Sequence, residues 1–176
     1  LAFKFSESLV LGVEIGFDRA GLSSPAVELV RAGATVIANP SADAIIAGEF
    51  DLFKQCLVAR SRMLCCMYIY AGSGLGESTG KVLLSGYTAI VSDGTLVAEN
   101  IDFYKPTVET SFVWNPRWYK ALRKQRAGFN DVARVQQIIP AAGEISSIRE
   151  LSNSTRGAEM LLKKCPWNPN NENDFY

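Results

Sequence analysis

The run from Leu9 to Ile15 is mostly apolar and bounded by Ser and Gly, the pattern of a buried strand. Gly21-Leu22-Ser23-Ser24-Pro25 follows as a loop that offers N-cap hydroxyls and a Pro suited to a first helical turn. The pattern then predicts a short helix over Ala26 to Ala32 that Gly33 ends, and a strand over Ala34 to Ala38. Asn39-Pro40-Ser41-Ala42-Asp43 reads as a loop. From Glu49 to Met67, apolar residues at Phe50, Phe53, Leu57, Met63 and Leu64 recur at helical spacing, and Lys54, Arg60 and Arg62 are assigned to solvent.

Tyr68-Ile69-Tyr70 starts the next strand, which runs into Gly72-Ser73-Gly74-Leu75-Gly76. Val82 to Ser92 reads as a strand, Asp93-Gly94 as a tight hairpin turn, and Thr95 to Glu99 as the return strand. Strand and helix therefore alternate and then close with a hairpin, which predicts a layered α/β arrangement with mixed strand directions. Further on, Phe112 to Trp114 is assigned to a last strand, Pro116 to Gln125 to a basic helix, and Ala141 to Lys164 to a second helix. The expected organisation is an α/β core over 1–110, a strand and helical extension over 111–164, and a linker or tail over 165–176.

Composition narrows the chemistry. The chain has 176 residues, enough for one core, and no His. Imidazole bases, Ser-His-Asp triads and His metal ligands are thereby excluded. Its 18 basic residues balance 18 acidic ones, and no long basic run occurs, so nucleic acid is not the expected partner. No apolar run approaches the ~18 residues of a membrane span. None of the 4 cysteines forms a CxxC pair, so no metal site is expected. Cys56, Cys65 and Cys66 are read as small buried hydrophobes, in keeping with a reducing, cytoplasmic setting.

Two features bear on chemistry. The glycine-rich segment after Tyr70 follows a strand, as a phosphate loop does, but leads into β-branched residues instead of a helix N-terminus, so nucleotide binding is disfavoured. Glu14 and Asp18 flank the end of the first strand, where carboxylates are either catalytic or structural, and Glu77 in the glycine-rich loop is equally ambiguous.

The ordered motifs carry more. Gly12-Val13-Glu14-Ile15-Gly16-Phe17-Asp18 resembles the nucleophile segment GVEIC-E-D of the carbon–nitrogen hydrolase (nitrilase) superfamily, in the form found in the glutamine-hydrolysing domain of glutamine-dependent NAD⁺ synthetases. In the same order, Ala32 to Ala42 is similar to AGA-x-VI-x-N-x-SA, Tyr68 to Thr79 to YVYASAG-x-GEST, and Val91 to Glu99 to a hairpin ending ENG-x-LLAE. Pro166-Trp167-Asn168-Pro169 is similar to the linker before the synthetase domain.

The resemblance implies the C-terminal portion of a nitrilase-like αββα sandwich with a mixed sheet. It also implies a Glu-Lys-Cys mechanism in which a thiolate attacks the glutamine amide and ammonia is passed on. The departures are as informative. Gly16 stands at the nucleophile position and is chemically inert, Glu49 stands where Lys is usual, and the family's Glu and Lys have no counterpart in the chain. The residues carried over by resemblance are Ser41, Glu14 and Phe17 as substrate-side positions. ATP and deamido-NAD would belong to a synthetase domain that the chain does not contain, so no cofactor is expected for this portion. Glutamine is the implied substrate, and the rest of a parent chain or further copies in a homo-oligomer are the implied partners. The non-Met start predicts an excerpt of a longer polypeptide. The alternative is a degenerate, non-catalytic module serving in assembly or small-ligand binding.

Overall fold

A computed structural model describes residues 2–44, 46–78, 82–102, 105, 108–126 and 138–140. The sheet is built from β1 (Ala2–Lys4), β2 (Val10–Val13), β3 (Val36–Ser41), β4 (Met67–Gly72), β5 (Thr88–Ser92), β6 (Thr95–Asn100) and β7 (Ile138–Pro140), in the order β6-β5-β4-β3-β2-β1-β7. Strands β2, β3 and β4 are parallel, β1 runs antiparallel to β2, and β5 and β6 add an antiparallel hairpin. The mixed α/β class is as the pattern predicts. The predicted helix over Ala141 to Lys164 and the tail over 165–176 lie outside the described residues.

The crossovers are α1 (Pro25–Arg31), between β2 and β3, and α2 (Phe50–Leu64), between β3 and β4. Ser24 caps α1 by accepting from the Ala26 N–H at 3.2 Å, with Pro25 in the first turn. α2 ends at Cys65 in the left-handed conformation, φ 48°. Both helices pack on one face of the sheet, burying Leu29, Ile37, Leu57, Tyr68, Tyr70 and Tyr87. Gly12 lies where α1 comes down on the sheet: a Cβ there would meet Ile37 Cδ1 at 2.8 Å and Leu29 Cβ at 3.1 Å, so the close approach requires glycine. The opposite face carries Leu9, Val36, Met67 and Ile90 under α3 (Arg117–Gln125), whose Tyr119 is buried. Arg123 fastens α3 to the N-terminal ends of β3 and β4 by donating to the carbonyls of Ala34 (2.6 Å) and Cys65 (3.0 Å).

Several local expectations are corrected. β3 continues through Asn39, Pro40 and Ser41, which the sequence pattern assigned to a loop. Its partner β2 ends at Val13, opposite Ala38, so beyond that point β3 is bonded on its β4 side only and tolerates the missing Pro40 donor. β5 begins at Thr88, well after Val82, and Phe112 to Trp114 is an irregular segment packed on the second face, not a strand. Asp93 and Gly94 both have positive φ (44° and 86°), the geometry a two-residue hairpin turn demands. Cys65 and Cys66 are buried as expected, but Cys56 is exposed. Met63 is exposed at 78%, and Arg60 turns inward.

Candidate functional site

In an open α/β sheet the crevice beyond the carboxyl ends of parallel strands is where ligands bind. Here those ends belong to β2, β3 and β4, and they deliver Glu14, Asn39, Ser41 and the glycine-rich segment from Gly72 to one edge. Immediately after β2 the chain makes a sharp elbow at Gly16 and enters a short 3-10 turn, Gly16–Ala20.

Glu14 is the anchor of this edge, with its side chain fully buried. Tyr68 Oη donates to Glu14 Oε1 at 2.5 Å, and Ser24 Oγ donates to Oε2 at 2.5 Å. The Ala26 N–H reaches Oε2 at 3.3 Å. Arg60, from α2, forks onto both oxygens at 3.1 to 3.3 Å and also touches Ser24 Oγ. One carboxylate thus ties β2, the start of α1, α2 and β4 together. Its negative charge sits at a helix N-terminus and opposite a guanidinium, so the burial cost of the ion is offset by charge-assisted bonds. Burial, reinforced by the hydrogen bond to Glu14, pushes the Tyr68 hydroxyl far above the usual phenol range.

Two residues further on, the surroundings invert. Gly16 has φ +56°, and a Cβ built on it meets nothing within 4 Å. The Gly16 carbonyl is held from two sides, by Asn39 Nδ2 at 3.2 Å and Arg19 Nη1 at 3.1 Å, and the same Asn39 Nδ2 also bonds the Glu14 carbonyl at 3.2 Å. Arg19 is ion-paired with the buried Asp43 and lies against the rings of Phe17 (5.3 Å), Phe53 (5.1 Å) and Tyr70 (5.8 Å). The elbow backbone is thereby clamped while its outer side stays open. Ile15 and Phe17 project outward, 65% and 71% exposed.

Ser41 ends β3 on the same face as Asn39. Its hydroxyl is buried beside Tyr70 without a hydrogen bond of ordinary geometry, and Asn39 Oδ1 is buried without a donor. Burial is the main cause that raises the Tyr70 phenol above its ordinary range, with Asp43 adding to it.

Of the sequence candidates, the structure brings Glu14, Gly16, Phe17 and Ser41 to one edge, with different surroundings. Glu14 is enclosed by protein partners and offers no free oxygen to a ligand. Phe17 stacks on Arg19, Gly16 is open, and Ser41 is enclosed beside Tyr70. Asp18 and Glu77 are exposed and, among the described residues, take part through backbone bonds, Asp18 O accepting from Gly21 and Glu77 N donating to Gly74 O. Arg19, Asn39, Asp43, Arg60 and Tyr68 were not singled out from the sequence. Arg60 could have been: Phe53, Leu57, Arg60 and Leu64 recur at spacings of four, three and four, so the arginine falls within the inward stripe. Among the described residues no group of three or more His, Cys, Asp or Glu is gathered to hold a metal ion, and no helix is long and apolar enough to cross a membrane.

No family model matches the chain. It is 34% identical over 157 residues to the glutamine-dependent NAD(+) synthetase of Mycobacterium leprae, a stretch covering 81% of this chain and 23% of that protein. The Mycobacterium tuberculosis synthetase is 32% identical over 156 residues, with the same shares covered. The chain therefore spans less than a quarter of the length of these relatives. Among solved structures, a Saccharomyces cerevisiae member of branch 10 of the nitrilase superfamily superposes with a TM-score of 0.53 at 18% identity, covering 72% of this chain and 44% of its own. The glutamine-dependent NAD+ synthetase from Acinetobacter baumannii gives 0.55 at 14% identity, covering 63% and 20%. At such identities these two establish the fold alone.

Proposed function

Because the chain is a nitrilase-like domain related to the glutaminase part of glutamine-dependent NAD⁺ synthetases, we propose that it is the glutamine-facing portion of such a protein with its thioester chemistry switched off. The observation that carries this reading is Gly16. It occupies the elbow at the carboxyl ends of the parallel strands, in the segment that by resemblance corresponds to the family's nucleophile segment. A nucleophile belongs on a sharp strand-to-helix turn of this sort, because the turn pushes one side chain out into the crevice. Glycine supplies the turn and no nucleophile. Among the described residues no thiol substitutes: Cys65 and Cys66 are buried at the opposite end of β4, and Cys56 is on the outside of α2.

What remains is suited to holding a small polar ligand. Asn39 Oδ1 is buried without a donor while its amide nitrogen holds the elbow carbonyl, and Ser41 Oγ, near Tyr70, has no hydrogen bond of ordinary geometry, which favours retained binding of a carboxamide over a purely structural role. The reading is of a protein that takes glutamine, works beside the rest of an NAD⁺ synthetase-like assembly, and releases no ammonia itself. In the second reading the same edge serves a degenerate module that binds a small ligand for assembly.

Calorimetric titration with glutamine and a glutamine-to-ammonia assay on the same preparation test this. Binding without turnover is expected. Ammonia release above the uncatalysed background overturns the silent-site reading, and release that survives mutation of all four cysteines also removes the family mechanism. Absence of glutamine binding overturns the ligand assignment.

A further inference from the structure

The hairpin turn Asp93-Gly94 holds a reactive pair of groups as well as the bend. An aspartyl carboxyl followed by glycine can close on the main chain. The Gly94 backbone nitrogen attacks Asp93 Cγ, water leaves, and a cyclic succinimide forms. Water then reopens the ring at one of its two carbonyls. One opening returns aspartate; the other leaves isoaspartate, with the main chain rerouted through Cβ and Cγ. The water lost is regained, so no oxidant, reductant or cofactor is needed. Glycine favours the first step because no Cβ shields the attacking nitrogen.

In the folded chain the two groups are held by different partners. Arg62, in the last turn of α2, donates to Asp93 Oδ2 at 2.6 Å. Its stem lies across Gly94, where an added Cβ would come within 2.9 Å of Arg62 Cβ. Arg126, at the end of α3, donates to the same oxygen at 3.1 Å and lies 3.1 Å from Asp93 Oδ1. Its other terminal nitrogen donates to the Arg62 carbonyl at 2.9 Å, which locks the two arginines together. Helices from opposite faces of the sheet thus meet on one carboxylate, whose side chain is only 13% exposed. The Gly94 N–H is directed to Ser61 Oγ, 3.4 Å away. Burial raises the Asp93 carboxyl above its ordinary range although both arginines pull it down, and the neutral acid is the form an amide nitrogen attacks most readily.

We propose that Asp93-Gly94 is a latent self-modification site and that Arg62 and Arg126 are its brake. Once the clasp opens, ring closure converts Asp93 to isoaspartate and lengthens the main chain of the turn by one carbon. The pairing of Ser92 with Thr95, on which β5 and β6 close, is then lost, and Arg126 loses its partner at the end of α3. Reclosing the clasp does not undo the change. Two charge-assisted hydrogen bonds must break before the carboxyl can turn to the Gly94 nitrogen, which slows the reaction by about tenfold or more. The inference stands independently of the glutaminase reading.

Incubation of the full chain at neutral pH tests it, with isoaspartate at position 93 counted by peptide mass spectrometry and by isoaspartyl methyltransferase labelling. The folded chain should convert about tenfold or more slowly than the same chain unfolded in urea. Arg62→Met with Arg126→Met keeps the apolar stems and removes the charges, and should bring the folded-state rate up toward the unfolded one. Each single variant should fall between, which keeps the test open if the double variant does not fold. Glu14→Gln weakens the fold away from the turn and should leave the rate at the wild-type value. Circular dichroism confirms which variants are folded. Three results overturn the proposal: a folded chain that converts as fast as the unfolded one, folded methionine variants as slow as wild type, or a rise in Glu14→Gln equal to theirs.

Discussion

Glu14 and Gly16 are two residues apart, and the regions around them could hardly differ more. Around Glu14 every available carboxylate direction is taken by Tyr68, Ser24, the Ala26 N–H or Arg60, and the group is sealed from solvent. Around Gly16 the backbone is held as firmly, by Asn39 and Arg19, but no side chain fills the space above it. The frame that shapes the elbow is complete, and the elbow itself presents no side chain. Frame and reactive group are thus separable: a buried network is lost only at a large cost in stability, whereas an outward-facing group can vanish at almost none.

Alkali should break the frame most completely. Burial raises the Tyr68, Tyr87 and Tyr119 hydroxyls above the ordinary phenol value, and it pushes the Cys66 thiol up to about 12 from 9.0. Groups whose native pKa is raised favour folding while they stay protonated. Their contribution is fully present below the unfolded values and is lost as pH climbs through the native ones. In addition, Tyr68 and Tyr87 donate to Glu14 and Glu99, so ionising either phenol would set an anion against a carboxylate. Stability should hold to about pH 9 and fall steeply toward about 12. Phenolate absorbance at 295 nm, followed with far-ultraviolet circular dichroism, should show these tyrosines ionising together with unfolding. Ionisation of all six tyrosines near pH 10 with the helices intact would refute the picture.

The next largest effect is expected from Glu14→Ala. It removes one partner of a buried ion pair and strands Arg60, at a cost of about 3–5 kcal/mol. Glu14→Gln keeps the shape and some acceptors and should cost less, about 1–3 kcal/mol. Urea unfolding measures both. A loss under 1 kcal/mol for the alanine variant would mean that the network is not the frame it is taken to be.

Asn39→Ala attacks the clamp instead of the anchor. It releases the carbonyls of Glu14 and Gly16 together, and about 1–3 kcal/mol should be lost. Asn39→Asp should be worse than alanine, because a carboxylate would then face two carbonyl oxygens. The reverse order in urea melts would show that the amide is not acting as a donor.

Much of this was legible along the chain, for reasons that differ element by element. α1 announced itself through Ser24, Pro25 and the following apolar spacing, which are local signals. The hairpin did so through Asp93-Gly94, since few other pairs accept two positive φ values. The extension of β3 through Pro40 was hidden, because proline is tolerated there only on account of where β2 stops, a fact of the sheet and not of the segment. The charge of Arg60 points to solvent, whereas its spacing puts it on the inner stripe, and the buried Glu14 carboxylate decides for the inside. At the site, the ordered motifs located Glu14, Gly16 and Ser41, but no local pattern could pair Arg19 with Asp43 or Asn39 with the elbow carbonyls. Those links join residues more than twenty positions apart.

The smallest effect is predicted at the open position itself. Gly16→Cys meets no neighbour within 4 Å, so its only cost is the left-handed backbone at φ +56°, about 1–2 kcal/mol. Gly16→Ala should cost the same, since both side chains point into empty space and neither loses a contact that glycine had. A larger loss for cysteine than for alanine would mean that the space is not open. The introduced thiol should react with iodoacetamide, as an exposed thiol does, yet release no ammonia from glutamine, because Arg19 and Asp43 beside the elbow are engaged with each other. Ammonia release by Gly16→Cys would show that residues at this edge can act as base and oxyanion partner, with Asp43 and Arg19, the buried ion pair nearest the elbow, first to be tested. The frame would then be more than a scaffold, and the contrast between Glu14 and Gly16 would narrow to a single missing sulfur.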